Sequence, residues 1–228
     1  MEAIGVVFHL GPIAVTATVV TTWGIMLVLG AFSWFATRRL TLDAGPLQAV
    51  LEGAVSTIDD VIRNLLPRHT ELVLPFVGTL WVYILIANLA GLIPGLASPT
   101  GDLSVTAGLA ILVFLSVHWF GIRGEGVRNY LRHYLSPSPI LMPFHIISEI
   151  SRTVALAMRL FGNIMSLEMA ALLVLVVAGP LVPVPLLMLH MVEALVQAYI
   201  FGMLALVYIS GGIQSQQAIE SKKGAGHE

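Results

Sequence analysis

Nine side chains that could carry protons or hold an ion lie in the long apolar stretches of the last third of this 228-residue chain. They are His145, Glu149, Arg152, Arg159, Asn163, Glu168, His190, Glu193 and Gln197. A charged side chain at the centre of a membrane helix costs about 2.5–3.5 kcal/mol on insertion scales, so such residues persist where they line a polar cavity or meet a partner. Glu and His can titrate, whereas Arg keeps its charge. The set therefore indicates an ion- or proton-handling site.

Helical geometry, at about 100° per residue, sorts these side chains into faces. One broad face of a helix through this region carries His145, Glu149, Arg152, Arg159, Asn163 and Ser166. Glu168 lies near the opposite face of that helix, and His190, Glu193 and Gln197 share a face of the last helix. We therefore expect an arginine on one wall of the site, and a carboxylate and an imidazole that can meet on another.

Simpler structural roles compete for several of these residues. Glu149 and Arg152 are three residues apart and could form an intrahelical ion pair. Asn163 and Gln197 could be hydrogen-bonding contacts between helices, which are common in membranes. Arg159 has no carboxylate three or four residues away to neutralise it, which favours function at that position.

Two further polar residues lie in apolar stretches earlier in the chain. We expect His118, near the end of a span, to be an interfacial residue. Asn88, inside another span, is expected to be a packing contact.

The composition requires lipid as the main solvent of the elements that position these residues. Of the chain, 57% is hydrophobic and only 11% charged, with a mean hydropathy of +0.91, whereas soluble domains carry about 25% charged residues. Uncharged apolar stretches at 13–36, 72–94 and 103–122 each have enough residues to cross a hydrocarbon core of about 30 Å. Residues 46–66 predict an amphipathic helix along the membrane surface, or alternatively one packed on another soluble subunit.

The last third of the chain predicts two more membrane helices. The apolar run 140–178 would be about 58 Å long as a helix, nearly twice the membrane thickness, so it must be broken or strongly tilted. A proline-rich turn separates it from the last helix at 186–210, which a tail at 211–228 follows. The sequence thus predicts a single all-α polytopic membrane domain of five or six membrane helices, plus one surface helix.

The distribution of cations predicts the orientation. If the spans alternate, nine of the eleven Lys and Arg residues fall on one side: Arg38, Arg39, Arg63, Arg68, Arg123, Arg128, Arg132, Lys222 and Lys223. The positive-inside rule then places the N-terminus outside and the C-terminus in the cytoplasm. Because Glu2 begins a segment with no early cation, we expect no cleavable signal peptide.

Several classes of function lack their sequence features. The chain has no cysteine, which excludes disulfides and thiolate metal sites, and no basic patch with interleaved aromatics that would favour nucleic acid. We expect no cofactor and no metal. The alternative of a secondary ion or proton transporter would normally show an internal repeat, and an intramembrane metalloprotease would need a motif such as His-Glu-x-x-His. Neither feature is visible.

The motifs resemble subunit a of the F-type ATP synthases. The run Arg-Leu-Phe-Gly-Asn at 159–163, followed by Glu168, resembles that family's signature, and Gln-Ala-Tyr-Ile-Phe at 197–201, with His190 before it, resembles its last helix. Three earlier segments match in order: 19–23 (Val-Val-Thr-Thr-Trp), 88–94 (Asn-Leu-Ala-Gly-Leu-Ile-Pro) and 102–106 (Asp-Leu-Ser-Val-Thr). The resemblance covers nearly the whole chain.

The resemblance implies a stator subunit whose two long tilted helices pack against a ring of c subunits, each with an essential carboxylate. Arg159 would separate two aqueous half-channels, with Asn163 and Gln197 near it. Glu168 and His190 match positions of the outer half-channel, to which Glu193 is expected to add a second carboxylate. His145 stands where family members often have a carboxylate, so His145, Glu149 and Arg152 are candidates for the inner half-channel.

The same resemblance implies the setting. The chain would be a non-catalytic, proton-translocating subunit of an H⁺-transporting ATP synthase in a bacterial inner membrane. Its partners would be the c-ring, the b subunits of the peripheral stalk and the rest of the complex.

Overall fold

Six α-helices and one β-hairpin make up the part of the chain that the computed structural model describes, residues 6–10, 13–38, 45–67, 69–93, 96, 98–125, 142–179 and 184–224. In chain order the elements are β1 Val6–Leu10, β2 Ile13–Thr16, α1 Ala17–Thr37, α2 Pro46–Leu65, α3 Thr70–Ala90, a 3-10 turn Pro99–Gly101, α4 Leu103–Glu125, α5 Met142–Ala178 and α6 Val184–Gly224. Five helices, all except α2, are long and apolar enough to cross a membrane. The prediction of a polytopic all-α membrane protein is confirmed.

The first span begins later than the sequence predicts. Residues 13–16 do not start α1, because they pair antiparallel with β1 in the register Phe8↔Val15 and Leu10↔Ile13. An apolar run reads the same in a strand and in a buried helix, so hydropathy could not place this boundary. The helix therefore begins at Ala17 and not at residue 13.

Helix α2 is amphipathic, as its sequence predicts. Pro46 lies in its first turn, where the missing N–H breaks no intrahelical bond. At its other end Ile62 and Leu66 are buried in a cluster with α3, α4 and α6. On the exposed side Arg63 pairs with Asp59 at 2.6 Å. The C-terminal half of α2 is thus fastened to the membrane helices.

The link between α3 and α4 is longer than predicted. Helix α3 ends at Ala90 and not at residue 94, because the chain turns at Gly91, whose N–H bonds back to Asn88 and Leu89. Asp102 then caps α4 by accepting the Ser104 backbone N–H at 2.9 Å and its hydroxyl at 2.6 Å. Burial opposes ionisation of Asp102, but these bonds and one from the Thr18 hydroxyl outweigh it and hold its pKa below the ordinary value.

Helices α5 and α6 are both longer than a membrane is thick. With 37 and 41 residues they extend about 56 Å and about 62 Å, so each must tilt or protrude. Gly179, at a φ of +87°, ends α5 in the left-handed conformation that glycine adopts most easily. The predicted start of α5 at residue 140 lies outside the described residues.

Helix α6 also runs well past the end predicted at residue 210, since it continues to Gly224. The Gly211–Gly212 pair costs only about 1 kcal/mol per glycine relative to alanine, and good helix formers without proline follow it. The predicted tail 211–228 is therefore helical to residue 224, and 225–228 lie outside the described residues.

Helix α6 packs at the centre of the fold. It contributes Ala198, Phe201 and Ala205 to a core shared with α3, α4 and α5, and Leu206 and Ile209 to a second core that includes α2. By contrast, α1 contributes no buried residue. The rotation of α6, and with it the direction of its polar residues, is consequently set by contacts on several sides.

A tryptophan of α3 locks this rotation. The Trp81 indole occupies the space where a side chain at Gly202 would stand, only 1.4 Å from the ideal Cβ position. Its Nε1–H donates to the Tyr199 carbonyl at 3.3 Å, and its ring stacks on the Tyr199 ring at 6.0 Å. Helix α3 therefore enters a notch in α6 that only glycine leaves open.

Candidate functional site

A hydrogen bond between α5 and α6 lies at the centre of the predicted site. Asn163 Nδ2 donates to Gln197 Oε1 at 2.7 Å. Leu160 and Ile164 are fully buried, so this side of α5 packs against the neighbouring helices. Gln197 is also buried, with 1% of its side chain exposed. The two amides are interhelical contacts, as the simpler alternative proposed, and they also stand one turn from the arginine.

Arg159 lies on the outward side of this bridge. Its side chain is exposed, and among the described residues it makes no salt bridge. Ala155 and Gly162, one turn before and after on the same exposed face, are small, and nothing lies within 4 Å of a Cβ placed at residue 162. A permanent cation is thus presented on an outward helix face that is open to close approach.

Near the N-terminal end of α5, a cavity of about 400 Å³ lies between α4, α5 and α6. It is lined by the three residues expected together, His145, Glu149 and Arg152, and by Tyr208 of α6. The Arg152 guanidinium carbon lies 5.6 Å from the centre of the Tyr208 ring, a cation–π distance. The structure therefore brings the three candidates of the inner half-channel to one cavity.

Towards the other end of α5, Glu168 lies against the link between α3 and α4. The backbone of Ser98 is hydrogen bonded to its carboxylate. Cβ atoms placed at Gly91 and Gly101 would stand 3.4 Å and 3.2 Å from its carboxylate oxygens. The two glycines therefore leave the space that Glu168 occupies, on the far side of α5 from Arg159 as the helical geometry predicts.

A buried hydrogen-bond chain links this carboxylate to α6. Thr100 Oγ1 lies 2.7 Å from Ser98 Oγ and donates to Asn88 Oδ1 at 2.6 Å. The Asn88 amide, which is 0% exposed, donates in turn to the Ala194 carbonyl of α6 at 3.5 Å. The position of Asn88 inside an apolar span predicts only a packing contact. An amide inside an apolar span was the signal, but its partners lie far away in sequence.

His190 and Glu193 stand on α6 beside the end of this chain. His190 is 4% exposed, and its Nε2 has no hydrogen-bond partner among the described residues. Within the same part of the chain, no hydrogen bond or ion pair joins Glu168, His190 and Glu193 to one another. The meeting of a carboxylate with the His190 imidazole stays a prediction. Asn88 and the residues 98–100 connect Glu168 to this part of α6.

The two polar clusters lie on either side of Arg159 along α5. Arg159 comes ten residues after Glu149 and nine before Glu168, which is about 15 Å and about 14 Å along the helix axis. Titratable groups thus stand towards both ends of the helix, and a group that cannot release its proton stands midway. Among the described residues, no three His, Asp or Glu side chains converge so that they could hold a metal ion.

Comparisons with known proteins agree on one family. The family model described as ATP synthase A chain matches residues 19–210. The chain is 65% identical over 223 residues to "ATP synthase subunit a 2" of Pelobacter propionicus, covering 98% of both chains. It is 59% identical to "ATP synthase subunit a" of Legionella pneumophila over 92% of both, and 63% identical to "ATP synthase subunit a 1" of Hahella chejuensis over 90% and 88%.

Proposed function

The chain belongs to the ATP synthase A chain family, and from this membership we propose that it forms two proton half-channels that load and unload a rotating ring of carboxylates. Members of the family are membrane components of an H⁺-transporting F-type ATP synthase, and this chain is one of them. The chemistry proposed for it is proton transfer alone, so the ATP-forming reaction belongs to other subunits.

The position of Arg159 carries the proposal. The guanidinium stays charged at all relevant pH values, so it attracts an ionised carboxylate and cannot relay a proton itself. It stands about 14–15 Å along α5 from the titratable groups on each side. A carboxylate passing it is therefore held ionised there, having released its proton to one cluster before taking another proton from the second.

The outward face around Arg159 suits a ring of helices. Ala155 and Gly162 have small side chains, so they leave space for a neighbouring helix on both sides of the guanidinium. Small residues let helix backbones approach closely in membranes. We assign the c-ring to this face of α5 and α6. The b subunits of the peripheral stalk and the rest of the complex are the other proposed partners.

Each polar cluster takes one half-channel in this proposal. Glu168, His190 and Glu193, with the hydrogen-bond chain through Asn88, belong to the outer one, on the side of the link between α3 and α4. The cavity with His145, Glu149 and Arg152 belongs to the inner one. This assignment places the N-terminus outside a bacterial inner membrane. Each proton that moves inward then releases about 2.3 kcal/mol per 100 mV of membrane potential.

The test compares two substitutions of the same residue in the complete complex. Arg159→Ala removes the charge, so it should abolish ATP-driven proton pumping and allow passive leak once the ATPase head is stripped off. Arg159→Lys keeps a charge but offers a compact ammonium that can lose its proton when desolvated, so pumping should also be lost. Arg63→Ala, at an exposed pair on α2, is the matched control and should pump normally.

Pumping is read from ATP-driven quenching of a pH-sensitive dye in membrane vesicles, and the amount of assembled complex is measured beside it. Coupled pumping by Arg159→Ala at the level of the control would show that the fixed charge does not separate the half-channels.

A further inference from the structure

Gly101, in the link between α3 and α4, lies directly against the carboxyl group of Glu168 on α5. A Cβ placed at Gly101 would stand 3.2 Å from Glu168 Oε2, 3.5 Å from Oε1 and 3.6 Å from Cδ. These three atoms are its nearest neighbours outside its own turn of the chain. The carboxyl group therefore faces the side of Gly101 on which any other residue would carry its side chain.

The backbone conformation does not require glycine at this position. Among the described residues Gly179 is the one glycine with a positive φ, so Gly101 has a conformation that alanine can adopt. Packing within the link does not require it either, because the nearest atoms all belong to Glu168. Gly91 differs in this respect, since a Cβ there would first meet the Ser98 Cβ at 2.9 Å. Gly101 thus supplies space for one carboxyl group.

Hydrogen bonds hold the backbone around Gly101 in place. Its N–H donates to the Ser98 carbonyl at 3.0 Å, and the Asp102 N–H donates to the Pro99 carbonyl at 3.2 Å. The Ser98 hydroxyl donates to the Ala87 carbonyl at the end of α3, at 3.0 Å. A side chain added at Gly101 would therefore displace the carboxyl group and not the backbone.

We propose that Gly101 is a positioning residue of the outer half-channel, and that it forms with the Ser98 backbone a socket that holds the Glu168 carboxyl group in place. The Ser98 backbone supplies a hydrogen bond to the carboxylate. The proposal rests on the outer half-channel assigned to Glu168 above. A glutamate side chain has several rotatable bonds, so without the socket its carboxyl group would occupy several positions. Proton transfer needs donor and acceptor atoms about 2.6–3.2 Å apart, so a fixed carboxyl group favours it.

The experiment adds one methyl group to the socket in the complete ATP synthase. Gly101→Ala is compared with Gly108→Ala in α4, where nothing lies within 4 Å of the Cβ position. Each change is made in the wild-type background and in the Glu168→Asp background, where the side chain is one methylene shorter and the carboxyl group stands back from Gly101. Passive proton conductance is measured in membranes stripped of the ATPase head, per assembled complex. The melting temperature of each variant is measured beside it.

The expected loss follows from the distance. Ordinary contact begins at 3.4 Å, so the new methyl group displaces Glu168 Oε2 by about 0.2 Å or slightly more. A misplacement of about 1 Å can cost about 100-fold in rate, so Gly101→Ala should lower the conductance about twofold to fourfold while the complex still assembles. In the Glu168→Asp background the same alanine should cause no further loss, because the two changes act through one contact. Gly108→Ala should conduct like its parent in both backgrounds.

Wild-type conductance in Gly101→Ala, or an equal loss in both backgrounds, would overturn the socket, because the alanine would then not act through the carboxyl group. If Glu168→Asp alone abolishes conductance, the melting temperatures decide: alanine at residue 101 should lower that of the wild-type background only. If Gly101→Ala does not assemble, Glu168→Asp should restore assembly, and failure in both backgrounds would overturn the socket.

The two proposals fail separately. Wild-type conductance in Gly101→Ala together with uncoupled Arg159→Ala removes only the socket. Normal pumping by Arg159→Ala removes the half-channel function itself.

Discussion

Replacing Gly202 by alanine should destabilise the protein more than the same change at Gly211 or Gly212 of α6. The new Cβ would stand 1.4 Å from Trp81 Nε1, while ordinary contact begins at 3.4 Å, so the indole must move by about 2 Å. Overpacking of this kind costs about 1–3 kcal/mol. Loss of the hydrogen bond to the Tyr199 carbonyl adds about 0.5–1.5 kcal/mol. We expect a total of about 1.5–4.5 kcal/mol.

The assay is thermal unfolding of the purified membrane sector. A loss of this size corresponds to a drop of about 3–18 °C in apparent melting temperature for a chain of this length. Proton pumping should fall as well, because Gln197 lies on the same helix and faces Asn163 only in the present rotation.

Gly211→Ala, nine residues on in the same helix, is the matched control. Nothing lies within 4 Å of its Cβ position, so alanine there gains helix propensity of up to about 1 kcal/mol and should be neutral or slightly stabilising. A smaller side chain at residue 81 should relieve the overlap with the new Cβ. Gly202→Ala combined with Trp81→Leu should therefore be more stable than Gly202→Ala alone. Equal melting temperatures for Gly202→Ala and Gly211→Ala would refute the packing argument.

Two further predictions concern the outer half-channel and the orientation. Glu168→Gln can still accept the Ser98 hydrogen bond but cannot titrate, so proton flux should fall while the complex still assembles. Glu71→Gln, at an exposed position, is the control. Wild-type flux in a Glu168→Gln, Glu193→Gln double variant would remove both carboxylates from the mechanism. Cysteines introduced at the exposed positions Leu96 and Gly45 of this cysteine-free chain should label from outside and inside sealed cells respectively, and labelling of both from one side would contradict the proposed topology.

Much of the architecture follows from local sequence patterns. The predicted boundaries are wrong where one pattern is compatible with two structures. Five apolar stretches became five helices long enough to span, because a stretch with no water around it must satisfy its backbone internally. The run 13–16 pairs as a strand instead of opening α1, and α6 passes through two glycines without breaking. Hydropathy measures neither strand pairing nor the tolerance of a helix for glycine.

The sequence predicts which helix face each site residue lies on, but not which residues of other helices it contacts. Periodicity placed Asn163 with Arg159 and set Glu168 apart from it, and the structure keeps that arrangement. It could not show that Asn88 would meet Thr100 and Ala194, or that His118 would meet Glu149. Those contacts depend on which helices become neighbours, and the rotation of one helix against another is set by shape, as the Trp81 notch shows.

The exposed position of Arg159 on α5 bears on the partner proposed for it. The residue lies about 26 Å from the start of α5 and about 29 Å from its end, near the middle of the apolar span Pro143–Val177. Within the part of the chain that the structure describes, no carboxylate pairs with it. A cation in the middle of a span is costly without a counter-charge. The ring proposed above would bring that counter-charge as a carboxylate that arrives, is held ionised and leaves. A permanent partner would instead neutralise the arginine, and the proposed mechanism would then have no fixed charge between its half-channels.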